Sequence, residues 1–426
     1  LQQALLPYFS AAMQAITIND ASCIIGSTDR RREIFDLPAI AATLTIAPNK
    51  TDDHKKETRM TQRFFNPVAT HFGPGSLAEL PGIVGGARVV VVAFPEARGL
   101  GLIQKIEQLL GDQLAYVIED VSPNPDVALL AGMYDRFWQN DDACDTVVAL
   151  GGGSAIDTAK ALIVGTQSGR FEELLALLAD GKPFTPHRVK TLIAIPTTAG
   201  TGSEVTPWAT IWDAEKQKKY SLHLDCTWPK AAIVDPDLML SLPRHVTIST
   251  GLDALSHALE SIWNVNANPV SDAFAISAIN DIMTCLPLLA KDLNNKALRS
   301  SMALAAMKAG LAFSNTKTAL AHSISYEMTL RHGLPHGIAC SFTLPLVLKM
   351  AWGETPERDA VLQKVFNSDC QTAVARLRNF LHQLDVKTEF SDYGVSSPEA
   401  LEMVQGAMQG ARGKNFIGAK SIAALP

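Results

Sequence analysis

Three short runs of almost wholly branched or small apolar residues constrain this chain most: RVVVVAF at Arg88–Phe94, TVVALGGG at Thr146–Gly153 and TLIAIPTT at Thr191–Thr198. A strand with one wet face alternates apolar and polar residues; these runs offer no polar face, so each suits burial on both sides. A sheet covered on both faces is typically parallel, with helices above and below it, and helical patterns do separate the runs. From about Phe64 to Pro243 the sequence therefore predicts an α/β domain. After Pro243 the period changes, and segments such as TISTGLDALSHALESIW and ALRSSMALAAMKAGLAFSNT repeat apolar residues at helical spacing. The fold class expected is an N-terminal Rossmann-like α/β domain with a parallel sheet, followed by an all-α C-terminal domain, with the site in the cleft between them.

At 426 residues the chain exceeds one ordinary core. The expected division is residues 1–59 as an extension, 60–243 as the α/β domain and 244–426 as the helical domain. The extension ends in the charge-dense TDDHKKETR, and Met60 follows as a start codon would. It reads as poorly ordered or outside catalysis, with a small regulatory or targeting appendage as the alternative. Its opening LQQALLPYFSAAMQA lacks the basic leader and cleavage site of a signal peptide. No run of 18 apolar residues occurs, so no membrane span is expected. The six cysteines form no CxxC pair, which suits reduced thiols in a cytoplasm. A formal net charge of −6 gives no field to gather a polyanion, which argues against nucleic acid and for a small-molecule partner.

TVVALGGGSAIDTAK, from Thr146 to Lys160, runs from a buried strand into three glycines and then a helix. Glycines let backbone approach a pyrophosphate, and a helix N-terminus supplies unpaired N–H groups and the positive end of a dipole. The motif is not GxGxxG, and alone it also reads as a tight turn. A second loop, IPTTAGTGSEVT from Ile195 to Thr206, follows the next strand and is dense in hydroxyls. It reads either as a wrapper for diphosphate or ribose, or as a polar connection with Thr201 or Ser203 capping a helix. Two such loops beyond consecutive strands favour the ligand, because open α/β sheets bind at the carboxyl ends of their strands.

In the helical half, Asp253 and His257 of GLDALSHALE stand four apart, on one helical face. His322 in AHSISY and His336 in GLPHG can complete a set of one carboxylate and three imidazoles. That borderline ligand field accepts Fe(II) or Zn(II), with a position left for water or a substrate oxygen. Each histidine alone also fits a core or surface role. His332, beside Arg331 at a turn, reads as an outer or exposed residue.

GGGSAIDTAK, IPTTAGTGSE, GLDALSHALE and the fourteen-residue spacing of His322 and His336 together resemble the iron-containing (group III) alcohol dehydrogenases, in order, from about Phe64 to Asn415. The resemblance implies the fold shared by that family and the dehydroquinate synthases, and an NAD- or NADP-linked enzyme. It implies metal ligands at Asp253, His257, His322 and His336, and cofactor-phosphate contacts at Gly151, Gly152, Gly153 and Ser154. It further places Asp157, Lys160, Thr197, Thr198, Thr201 and Ser203 around the cofactor.

Two positions depart from the family pattern. Tyr326 stands where many members have a histidine near the nicotinamide; it reads as a hydrogen-bond donor to substrate or as packing. Phe94 stands near the place of an acid that pairs with the ribose in NAD-preferring relatives. Losing that acid relaxes discrimination against NADP, with Glu96 as a substitute.

HSISYEMTLRHGLPHG and ARGKNFIG look closest to the phosphonoacetaldehyde reductase branch, which makes Arg412 and Lys414 candidates for gripping a phosphonate; solvated basic residues are the alternative. The tail ending SIAALP stops short of the further helix expected there. The resulting expectation is a metal-dependent small-aldehyde reductase, with a homodimer left open. A dehydroquinate synthase-like or glycerol phosphate dehydrogenase-like enzyme and a non-catalytic metal- and nucleotide-binding module stand as rivals.

Overall fold

A computed structural model describes residues 62–418. The extension expected at 1–59, the start at Met60 and the tail SIAALP lie outside the described residues.

The strands are β1 (Ala69–Phe72), β2 (Val89–Ala93), β3 (Leu114–Ile118), β4 (Thr146–Gly151), β5 (Val164–Gly165), β6 (Arg188–Val189), β7 (Thr191–Pro196), β8 (Trp208–Asp213), β9 (Lys218–His223) and β10 (Ala231–Val234). Six of them form one parallel sheet in the order β1-β10-β7-β4-β2-β3, while β5/β6 and β8/β9 are small antiparallel pairs. The unbroken apolar runs follow from the two faces. Val90, Val92, Val147 and Ala149 point into one core with helices α3 (Val127–Gln139), α4 (Gly153–Leu162) and α5 (Phe171–Asp180). Val89, Val91, Val148 and Leu150 point into another with α1 (Leu80–Val84) and α2 (Leu102–Leu110). Every residue of β2 and β4 is buried, as an alternating sequence would not allow.

This order fixes where a ligand can bind. From β2 the chain moves outward to β3, whereas β4 lies on the other side of β2, so the loops after β2 and β4 diverge. The gap beyond their carboxyl ends is the switch point at which such sheets take ligands.

No strand follows Val234 among the described residues. The helices are α6 (Arg244–Ile262), α7 (Pro269–Leu289), α8 (Lys296–Thr316), α9 (Leu320–His332), α10 (His336–Ser341), α11 (Leu344–Ala351), α12 (Pro356–Phe366), α13 (Cys370–Gln383) and α14 (Ser397–Gln409). Helix α6 is the axis of this half: it is buried continuously from Gly251 to Ile262 and packs on α7, α8 and α10. Helix α7 is long and apolar enough by composition to cross a membrane, with mean hydropathy 1.3. Here its Ala275, Ile279, Ile282 and Leu286 fill the core against α6 and α8.

Candidate active site

A cavity of about 590 Å³ runs from the loops after β4 and β7 to the buried axis of the helical half, with Gly153, Ser154, Thr201, His257, His322 and His336 in its wall. At the sheet end the two loops are bound to each other: the Thr197 amide donates to the Gly151 carbonyl at 2.9 Å. They pack so closely that a Cβ on Gly153 would lie 2.8 Å from a Thr201 methyl carbon. Helix α4 starts at Gly153 with no side chain capping it, so its first amides face the cavity beside Ser154. Asp157, Thr201 and Ser203 line the cavity, whereas Gly151, Gly152, Thr197 and Thr198 stand behind it and shape the loops. Neither Thr201 nor Ser203 caps a helix: the 3-10 turn at Ser203–Val205 has Gly202 at its start and no side-chain cap. Phe94 follows β2 and packs against Gly151, and Glu96 is exposed.

Lys160 corrects the sequence reading. It is fully buried, and its ammonium donates to the Ser203 carbonyl at 2.6 Å, the Ser203 hydroxyl at 2.7 Å and the Trp208 carbonyl at 2.6 Å. The Ser203 hydroxyl in turn donates to Asp157 at 2.6 Å, and the Thr210 amide donates to the other Asp157 oxygen at 2.8 Å. Every donor of Lys160 is thus committed to protein, so it pins the hydroxyl loop onto α4 and has none left for a cofactor.

At the other end, one oxygen of Asp253 gathers three imidazoles. Its Oδ1 lies 3.3 Å from His322 Nε2, 3.7 Å from His257 Nε2 and 4.0 Å from His336 Nε2. Glu260, fully buried one turn after His257, accepts from His322 Nδ1 at 2.7 Å and from the amides of Ala319 and His322. With Nδ1 held by that carboxylate, the Nε2 lone pair of His322 turns toward Asp253. Helices α6 and α10 meet main chain to main chain, because any Cβ on Gly337 would strike the Ser249 carbonyl, and this close approach brings His336 to Asp253.

Cys340, which the sequence reading did not single out, belongs here too. It follows His336 by one turn, and its sulfur lies 3.5 Å from His336 Nε2. Ligand atoms of Asp253, His322, His336 and Cys340 all lie within 4.8 Å of one another; His257 stands outside this tight group, stacked between Phe313 and His322. The four expected ligands do converge, with His257 at the margin and a thiol beside them. The buried Asp253 Oδ1 and His322 Nε2 make no hydrogen bond, and such orphaned atoms together with this donor set fit a divalent cation. His332 lies elsewhere, 3.6 Å from Glu399.

The charges agree with that fit. Burial pushes the Asp253 carboxyl up, but the imidazoles of His257, His322 and His336 outweigh it and leave the pKa lowered. Burial lowers His257 to about 4 and His336 to about 3, the latter also repelled by Lys219. An ionised carboxylate and neutral imidazoles are the forms that take a metal. His322 runs the other way: burial opposes its charge, yet Cys340 and Glu260 raise its pKa well above the usual value.

The remaining wall is aromatic and cationic. Tyr326, one turn after His322 on α9, has its hydroxyl buried without a partner. Lys219 Nζ lies 4.3 Å from the centre of its ring and Arg412 Cζ 4.8 Å. Arg412 is in the cavity, as expected, but Lys414 is not: it is exposed and outside the wall, because the short turn at Gly413–Asn415 carries it away. Two lysines line it as well: Lys219, from β9, beside Arg412 at Tyr326, and Lys317, just after α8, over the Trp208 ring at 5.6 Å.

A parallel sheet whose β4 and β7 loops open onto a cavity shared with a metal-fitting cluster of the helical half defines an oxidoreductase of the two-part dehydrogenase type. Residues 67–236 match the family profile "Iron-containing alcohol dehydrogenase" and residues 247–421 match "Fe-containing alcohol dehydrogenase family, C-terminal". The chain belongs to the iron-containing alcohol dehydrogenase family and is an oxidoreductase acting on CH–OH groups. It is 31% identical to the NAD-dependent methanol dehydrogenase of Bacillus methanolicus over 362 residues, 81% of this chain and 93% of that one. Its structure resembles that of sulfoacetaldehyde reductase from Bifidobacterium kashiwanohense in complex with NAD+, with TM-score 0.78 and 29% identity over 86% of this chain and 97% of that one. An iron-containing alcohol dehydrogenase from Thermotoga maritima gives TM-score 0.72 and 30% identity, covering 86% and 98%. These matches favour the dehydrogenase over both rivals.

Proposed function

We propose that this protein reduces a small aldehyde with NADH or NADPH, using a divalent metal, Fe(II) or Zn(II), held by Asp253, His257, His322 and His336. The observation that carries this is the gathering of three imidazoles on one orphaned Asp253 oxygen, at the end of the cavity that begins at the α4 N-terminus. When bound, the metal supplies Lewis-acid polarisation of the carbonyl and the reduced nicotinamide supplies the hydride. Residues 60–243 serve the dinucleotide and 244–426 the metal.

The chain's own residues do the positioning. The first amides of α4, with Ser154 and Thr201, receive the pyrophosphate, and Asp157 and Lys160 keep the second loop pressed against the first. Glu260 fixes the tautomer and angle of His322. The oxygen of the new alkoxide takes a proton, and the unpartnered Tyr326 hydroxyl is a donor in the same cavity. Phe94 in place of an acid leaves room for either cofactor.

The narrower proposal for substrate is phosphonoacetaldehyde, supported by the branch-like segments around His322 and Arg412 and by the likeness to a sulfoacetaldehyde reductase. The setting proposed is cytoplasmic, in keeping with five unpaired cysteines among the described residues, and the assembly a homodimer. The test is loss of reduced-nicotinamide absorbance on addition of short aldehydes to metal-loaded enzyme. Chelation and dialysis should abolish turnover; full activity of the stripped protein refutes the proposal.

A further inference from the structure

We propose that Lys219 and Arg412, both held at the ring of Tyr326, form an anion subsite that selects aldehydes carrying a tetrahedral oxyanion head, phosphonate or sulfonate, over neutral ones. This rests on the function proposed above, and it gives Lys219 a role in specificity.

Two cations at one ring repel each other, and a protein ordinarily answers such a pair with a carboxylate. None is supplied here. Neither side chain makes an ion pair or hydrogen bond among the described residues, although exposed arginines such as Arg98 and Arg170 are matched by acids. Lys219 lies instead over two aromatic faces, Tyr326 at 4.3 Å and Trp212 at 4.9 Å, and Arg412 over Tyr326 at 4.8 Å. Ring faces orient a cation without neutralising it, so neither group is committed to a carboxylate and both can answer a third party. The acidic groups that face the pair from neighbouring elements are already used: Asp157 accepts from Ser203 and Thr210, Asp253 gathers the imidazoles, Cys340 lies against His336, and Glu260, which faces Arg412, accepts from Ala319 and His322.

The surroundings point the pair at substrate. Both cations line the cavity that holds His322 and His336. Tyr326 is one helical turn from His322, and residues so spaced are about 5–6 Å apart at their Cβ atoms. An aldehyde with its oxygen at the metal cluster and a short carbon link thus points its head along the same wall, toward Tyr326 and the two cations beside it. Arginine's planar fork suits a tetrahedral oxyanion, and the ammonium adds a point charge.

The test uses metal-loaded enzyme and two readouts. In calorimetry, ethylphosphonate and ethanesulfonate should bind while 1-propanol at equal concentration does not; K219M and R412M should each weaken the anions about a hundredfold, with K219R and R412K keeping much of the affinity. In kinetics, the kcat/KM ratio of phosphonoacetaldehyde or sulfoacetaldehyde to propionaldehyde should fall about a hundredfold in K219M and R412M, chiefly through KM. The two anion arms decide between phosphonate and sulfonate. Wild-type enzyme that ignores both anions, or variants that raise KM for the nicotinamide cofactor and leave the ratio unchanged, would overturn the subsite. Anion binding that depends on Lys219 and Arg412 without reduction of any aldehyde upholds the subsite and refutes the function.

Discussion

The two ends of the cavity treat buried charge in opposite ways. At the sheet end, Lys160 and Asp157 satisfy each other through Ser203 and spend their remaining bonds on main chain. At the histidine end, Asp253 Oδ1, His322 Nε2 and the Tyr326 hydroxyl have no hydrogen-bond partner, and Lys219 and Arg412 rest on ring faces. Burying polar groups unpaired is costly, so a closed network reads as scaffold and an open one as a place where something else binds. Position in a motif does not separate the two, since Asp157 and Asp253 both belong to motif segments.

The strongest way to break that contrast is to remove an open group. Asp253→Ala should eliminate bound metal and lower kcat/KM by about a thousandfold or more while thermal unfolding changes little, since metal polarisation contributes several kcal/mol; metal analysis with steady-state assay checks it. Lys160→Met should do the reverse. It strips a buried charge from three acceptors and should cost about 3 kcal/mol of stability, read by denaturant unfolding, with metal content intact. Glu260→Gln sharpens the boundary, because Glu260 is closed on one side and aims an open atom on the other. It should weaken metal binding about tenfold to a hundredfold, the range for carboxylates that orient a ligating imidazole.

The smallest effect concerns pH. Burial lowers Lys219 to about 7, so its ammonium is charged below that pH and neutral above it. The kcat/KM for sulfoacetaldehyde, whose sulfonate keeps one charge throughout this range so that the profile reports groups of the free enzyme, should fall about tenfold as pH rises past 7, the worth of one charge-assisted contact. A neutral aldehyde should lack that limb, and an identical profile for both would remove Lys219 from anion binding.

What could be read from the sequence follows the same division. The β2, β4 and β7 runs were legible because burial on both faces leaves an unmixed apolar code. Asp253 with His257 was legible because a shared helical face is local. Lys160 was misread because its place in GGGSAIDTAK says nothing about whether the ammonium points into the crevice or back under Ser203. Lys414 was paired with Arg412 by nearness along the chain, whereas Lys219 reaches that spot only through the fold of β8 and β9. Cys340 carried one usable signal, the i,i+4 step from His336, and Glu260 another, one turn beyond His257. A lone cysteine and a lone glutamate gave no pattern to weigh until α9 and α10 were seen against α6.

The direct contact of Gly337 with Ser249 has a consequence for anyone wishing to re-engineer the centre. The gap across which Asp253 and His336 face each other is set by two backbones in touch, so exchanging donor side chains alters the chemistry of the cage while its width stays fixed. A larger residue at position 337 would do the opposite: every donor would be kept, and the cage would be prised open like a jaw with a pebble in its hinge.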